Sequence, residues 1–242
     1  MGLVSVEDLS FSYDGGRDVL RGISFSVSAG EVFVIAGLSG SGKTTLCRIL
    51  CGIIPHAVKG IVSGSLDVAG IDPSVTSLPQ VALKAGMVFQ DADSQIICST
   101  VEDELAFGLE NLCWPPEDIR FRVDELLEEF GFGGLGLVNP ALLSGGQKKL
   151  LTIAAVLAPS PPVLILDEPM SGLDAEGREL VRMAIEGQRL MGRAVIIVEH
   201  DLKLVTFADK WLLLRDGEAA MCAPPDVCLR DMELLRDMGI WS

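Results

Sequence analysis

The sequence predicts an α/β fold built on a parallel sheet, with a small antiparallel β lobe and an inserted helical lobe. Three observations carry that reading. Strand-sized apolar runs at 163–166, 194–198 and 211–214 alternate with a helical segment over 176–191, as expected of parallel strands joined by crossover helices. Shorter strand-like runs crowd the N-terminal part of the chain. From Thr100 onward the apolar period becomes helical.

Taken in order, residues 3–7 and 23–28 read as the first strands. Gly30-Glu31 then leads into Val32-Phe33-Val34-Ile35-Ala36 and Gly37, a buried strand entering a loop. The stretch 63–73 reads as a hairpin punctuated by Gly64 and Gly70. Thr100, with Asp103 three residues on, starts a helix carrying Leu105, Ala106 and Leu109. Pro115-Pro116-Glu117 opens another, with Ile119, Val123, Leu126, Leu127 and Phe130 at helical spacing until Gly131 stops it. A third begins at Ser144-Gly145-Gly146 and places Leu150, Ile153, Ala154 and Leu157 on one face, until Pro159, Pro161 and Pro162 end it. The expected organisation is one domain over 1–242: a core with the β lobe at 1–90 and 161–220, a helical lobe at 91–160 and a short C-terminal helical tail at 221–242.

Composition excludes several classes. A formal net charge of -15 repels phosphate backbones and anionic headgroups, so nucleic acid is not expected as a partner. No apolar run approaches the ~20 residues of a membrane span, and no basic segment leads into a signal-like stretch. The six cysteines show no CxxC pairing and read as buried packing thiols rather than a metal or redox set.

The strongest motif is Gly37-Leu38-Ser39-Gly40-Ser41-Gly42-Lys43-Thr44, followed by Thr45. It matches the G-x-x-x-x-G-K-[ST] phosphate loop and lies between a predicted strand and a predicted helix. Such a loop closes backbone N–H groups around phosphates at a helix N-terminus, with Lys43 on the β- and γ-phosphates and Thr44 on magnesium. The run 163–166 ends in Asp167, a second magnesium candidate, and Glu168 beside it is placed to take a proton from an attacking water. These features define a P-loop NTPase using Mg2+, a class that many families share.

Further motifs narrow the class. Leu143-Ser144-Gly145-Gly146-Gln147, with Gln90 before it and Ser171-Gly172-Leu173-Asp174 and His200 after it, resembles the ABC ATPase family in chain order across nearly the whole sequence. That resemblance implies an ATP-hydrolysing subunit of a membrane transporter. Gln90 would sense magnesium and the attacking water, and His200 would contact the γ-phosphate. Ser144, Gly145, Gly146 and Gln147, together with Asp174, would complete the site of a second subunit. By itself Ser144 also suits an ordinary helix N-cap. Tyr13, in Leu9-Ser10-Phe11-Ser12-Tyr13, resembles the family's adenine-stacking position, and plain packing stays open for it.

The runs 88–96 and 100–111 resemble the energy-coupling factor branch, which imports vitamins, cobalt or nickel. The resemblance implies an integral membrane partner, a second ATPase subunit that is identical or paralogous, and a place on the cytoplasmic face of the membrane. Leu38-Ser39 and Met170 depart from the usual Pro-Asn and Thr without removing a catalytic group. The alternative is a non-transport ABC ATPase acting on ribosomes or DNA, which the acidity and the absence of a second cassette disfavour.

Overall fold

The computed structural model describes residues 2–13 and 16–241. Nearest the N-terminus, β1 (Gly2–Ser12) and β2 (Asp18–Ser28) pair antiparallel. β3 (Val32–Ala36) belongs to a different sheet and feeds α1 (Lys43–Leu50), followed by the short α2 (Ile53–His56). β4 (Ile61–Val68) then returns to pair with β1, so the small sheet has the order β2-β1-β4.

The stretch expected as a hairpin is therefore a single strand and its exit turn. Only the Val68–Ile71 bridge turns back on it, and its partner is the distant β1. Gly64 lies inside β4 at φ +100°, where an added Cβ would stand 2.5 Å from the Asp8 carbonyl oxygen. It passes a register break between Glu7 and Ser10 of β1. The glycine marks a close approach of two strands rather than a turn.

After α3 (Leu78–Ala82) comes β5 (Ala85–Val88), then the helical lobe: α4 (Val101–Asn111), α5 (Pro116–Glu129) and α6 (Gly145–Leu157). The local signals act as anticipated. Thr100 Oγ1 accepts from the Asp103 N–H at 3.2 Å, and Gly131 takes φ +72° just past the end of α5. α6 is buried beyond the one face expected of it, because Leu151, Thr152 and Lys149 are covered as well.

β6 (Val163–Asp167), α7 (Ala175–Leu190), β7 (Ala194–Glu199) and β8 (Lys210–Arg215) complete the parallel part of the main sheet. Its order is β5-β6-β7-β3-β8-β9, with β9 (Glu218–Ala223) antiparallel at the edge. Residues 221–223 thus finish a strand where a helical tail was expected. β9 is mostly exposed and lacks an apolar pattern that would announce it. The helices α8 (Pro225–Cys228) and α9 (Met232–Asp237) follow it.

The main sheet is buried on both faces, which is why its strands read as unbroken apolar runs. Val34, Leu166, Ile197 and Leu213 point into a core shared with α4 to α7 and the C-terminal helices. Phe33, Ile165, Ile196 and Leu212 point into a second core, shared with α1 and the small sheet. The packing assignment fits Cys47, Cys51 and Cys228, which are buried, and burial pushes the Cys51 thiol up to about 12. Cys113 and Cys222 are exposed and Cys98 is half-buried, so packing does not account for those three. Among the described residues no helix is long and apolar enough to cross a membrane.

Candidate functional site

The site begins where β3 runs out. Gly37 passes so close to β8 that a Cβ would lie 2.3 Å from the Leu214 carbonyl oxygen, so only glycine fits at this turn. Gly42, at φ +103°, caps α1, whose first turn holds no acidic residue to offset its positive end. Lys43 folds back over the loop and donates to the Gly37 and Leu38 carbonyls at 2.8 and 2.9 Å. Burial lowers its pKa, while Glu168 and Asp167 nearby act to raise it. Ser41 Oγ is buried without a hydrogen-bond partner among the described residues. The loop therefore presents a glycine-lined concavity, a cation and an unopposed helix end, a set suited to an anion.

The acidic side comes from the neighbouring strands. Asp167, the last residue of β6, accepts from Thr44 Oγ1 at 3.2 Å. Burial raises its pKa and the Thr44 hydrogen bond opposes that rise. Glu168 takes φ +45°, a region costly for a side-chain-bearing residue, and its N–H is held by the Val198 carbonyl at 3.0 Å. That turn aims its carboxylate at two partners. Gln90 Nε2 donates to Glu168 Oε2 at 2.7 Å, and His200 Nδ1 lies 3.4 Å from Glu168 Oε1.

A cavity of about 520 Å³ brings Gly37, Ser39, Gly40, Gly42, Lys43, Thr44 and Thr45 together with Gln90, Glu168 and His200. Asp167 and Ser41 sit buried beneath it. Tyr13 is partly exposed, with its hydroxyl 3.3 Å from Thr45 Oγ1 and its ring edge-on to Phe11 at 4.8 Å. This position serves either packing or a stacked ligand.

Ser144, Gly145, Gly146, Gln147 and Asp174 are elsewhere, around a second cavity of about 480 Å³. There Ser144 and Gln147 form a reciprocal capping box at the start of α6, and Asp174 caps α7 through the Gly177 N–H at 2.8 Å. A Cβ on Gly146 would stand 2.9 Å from the Gly177 Cα, so the two helix starts cross closely. Within one copy the signature does not reach the phosphate loop.

Several residues at the site escaped the sequence reading. Gly239 and Ile240 line the first cavity from the far end of the chain, beside Leu38, and no local pattern marks them. Lys149 is buried and donates to the carbonyls of Phe89 and Gln90. Glu199, at the end of β7, is fully buried, and neither carboxylate oxygen has a hydrogen-bond partner among the described residues. Burial pushes its carboxyl from 4.5 to about 7. An acidic residue closing an otherwise apolar strand was the available signal.

The metal test is one of donor chemistry. Thr44 hydroxyl, Asp167 carboxylate and the Gln90 amide oxygen are hard oxygen donors, which suits magnesium, an ion that keeps most of its ligands as water and phosphate. Among the described residues no cluster of three His, Cys, Asp or Glu is placed to hold a metal by protein ligands alone.

Comparison with known proteins agrees with this arrangement. A family description, ABC transporter, matches residues 20–171, well over half of the chain. The energy-coupling factor transporter ATP-binding protein EcfA of Methanothermobacter thermautotrophicus is 37% identical over 236 residues, covering 97% of this chain and 75% of that protein. The structure of CbiO1 from Clostridium perfringens, part of the ABC transporter complex CbiONQ, superposes with a TM-score of 0.82 at 34% identity, covering 98% of this chain and 94% of that one. A Methanosarcina mazei relative is 36% identical over 241 residues, but the chain spans only 42% of its length, and 38% of a similar protein from Methanosarcina acetivorans.

Glu199 yields a pH prediction. A carboxyl with a raised folded-state pKa binds its proton more tightly in the folded protein, so stability falls as pH rises from 4.5 to about 7 and stays low above it. Glu199→Gln removes this term. In urea unfolding, the stability of the variant relative to wild type should rise by roughly 3 kcal/mol between pH 4.5 and pH 8; a pH-independent difference would contradict the assignment.

Proposed function

The chain belongs to the ABC transporter family, and from that premise we propose that it binds and hydrolyses ATP as the motor subunit of a membrane transporter of the energy-coupling factor type. The observation that carries the reading is the convergence of Lys43, Gln90, Glu168 and His200 on one cavity beside a helix N-terminus. ATP is the substrate. The loop amides and Lys43 hold its phosphates, the ammonium exchanging the Gly37 and Leu38 carbonyls for phosphate oxygens. Glu168 takes the proton of the attacking water as the new bond to phosphorus forms and ADP leaves. Gln90 fixes one oxygen of that carboxylate and His200 stands at the other. A magnesium ion held by Thr44, Asp167 and Gln90 would neutralise charge on the phosphate oxygens.

The separate signature cavity supports a two-copy site. The start of α6 offers a hydroxyl, glycine N–H groups and a positive helix end beside its own cavity, a set suited to an anion. Under two-fold symmetry each nucleotide lies between Lys43 of one subunit and Ser144 of the other. The second subunit is either identical or a paralogue.

Coupling to a membrane partner is assigned to an apolar cavity of about 530 Å³ between β5, α4 and α6. Its wall includes Met87, Ile97 and Phe107, and Phe107 is 41% exposed, a setting for the apolar side of a partner helix. Met87 lies three residues before Gln90, so a helix seated there touches the strand that carries the site. The likeness to EcfA and CbiO1 supports an energy-coupling factor transporter complex and a peripheral place at the membrane.

Two experiments test the two halves of this reading. Glu168→Gln should leave ATP binding intact and lower turnover by ~10²-fold or more, measured as phosphate release. Near-normal turnover would refute the ATPase mechanism. Phe107→Glu should abolish transport in vesicles carrying the whole assembly while the isolated subunit keeps its hydrolysis; lost hydrolysis with surviving transport would make Phe107 a core residue only.

A further inference from the structure

We propose that Lys149 is a positioning residue for hydrolysis: its ammonium ties the signature helix to the backbone at Gln90 and so sets where Gln90 meets Glu168. The inference rests on the ATPase reading above and adds to it a link between the two motifs that one chain keeps apart.

Lys149 is only 3% exposed, an unusual place for a lysine. Its Nζ donates to the Gln90 carbonyl at 2.6 Å and to the Phe89 carbonyl at 3.2 Å. Both carbonyls lie just past β5, where the chain leaves the sheet for the helical lobe. The other side of the same backbone is gripped by Gln95, which accepts from the Phe89 N–H at 3.0 Å and donates to the Met87 carbonyl at 3.1 Å. Gln95 belongs to the same loop and moves with it. Lys149 belongs to α6 and does not.

The lever is short. Ser144 caps α6, and Lys149 follows within the second turn of that helix. Gln90, whose carbonyl Lys149 holds, donates its side-chain amide to Glu168 at 2.7 Å. A displacement of the α6 start therefore reaches the Glu168 carboxylate through one ammonium and one amide. Lys148 also bonds the loop, to Asp93 Oδ1 at 2.6 Å, but Asp93 is exposed and such a pair is weak. Burial lowers the Lys149 pKa, and Asp91, Asp167, Glu199 and Glu168 act to raise it, so a surrounding of carboxylates favours the cation that makes both bonds. Packing alone needs no ammonium here. A methionine would fill the space and leave two part-buried carbonyls without this donor.

The test uses the whole chain with two readouts. Without nucleotide, Lys149→Met should speed hydrogen exchange over residues 87–95 while its thermal unfolding stays cooperative. With ATP, kcat should fall by about tenfold or more, the loss expected of one charge-assisted hydrogen bond, with KM changed less than about twofold. In a Gln90→Ala background the same substitution should cost no further kcat, because Lys149 acts through Gln90. Should Lys149→Met fail to fold, Lys149→Gln keeps an uncharged N–H donor on a shorter stem and should give a smaller loss in the same direction. Unchanged exchange, or equal kcat losses in both backgrounds, overturns the proposal. A wild type that hydrolyses no ATP overturns the ATPase reading and this role with it, whereas an active wild type matched by an equally active Lys149→Met overturns this role alone.

Discussion

A sheet buried on both faces carries charge only where its strands end, and in this protein the ends meet at one edge. Ala36 pairs in register with Glu199, and Asp167 with Val198, so β3, β6 and β7 terminate side by side. The chain beyond each strand then supplies the chemistry: the glycine loop after β3, Glu168 after β6, His200 after β7 and Gln90 shortly after β5. Covering both faces with apolar cores concentrates the phosphate loop, the carboxylates and His200 at this edge, where an α/β sheet usually binds its ligand. The two cores fix the edge, and the edge fixes the site.

That concentration has an electrostatic consequence. Asp167, Glu168 and Glu199 crowd one side, against Lys43 above and Lys149 behind. Burial holds the Asp167 and Glu199 carboxyls above their ordinary values and both lysines below theirs. Such a cluster is better balanced with a bound cation and an anionic substrate than without them, which fits a magnesium nucleotide. Glu199 is a costly member, since its burial outweighs the opposing pull of the Met170 backbone and of His200 nearby. Strain at Glu168 points the same way: a left-handed residue is kept where it turns a carboxylate toward Gln90 and His200.

The site was legible in the sequence to the extent that its chemistry is written locally. Lys43, Thr44, Asp167, Glu168 and His200 each sit directly at a strand end or helix start, so a short window holds both residue and context. Thr100 and Gly131 announced their helix ends for the same reason. What depended on distant contacts was lost. Gly64 resembled a turn because its partner strand, β1, adjacent in space, lies far earlier in the chain, and β9 was missed because an exposed edge strand needs no apolar alternation. The burial of Lys149 has no local sign, because the chain at Phe89 and Gln90 that covers it lies far from it in sequence. Gly239 and Ile240 reach the cavity only through the packing of the last helices.

The central claim is that a working site is assembled from two chains, the phosphate loop of one and the signature of the other. Complementation tests it most directly. Lys43→Ala and Ser144→Arg proteins, each inactive alone, are mixed, and ATP hydrolysis is measured over a concentration range in which wild-type activity still rises steeply with dimerisation. In a mixed dimer both defects fall into one site and the other is intact, so with random pairing about a quarter of all sites should be restored. Recovery of activity on mixing two inactive proteins is the predicted result. A mixture that stays inactive, while an equal mixture of wild type and Glu168→Gln protein keeps about half of the wild-type activity rather than the roughly one quarter its wild-type homodimers alone supply, would contradict the shared site.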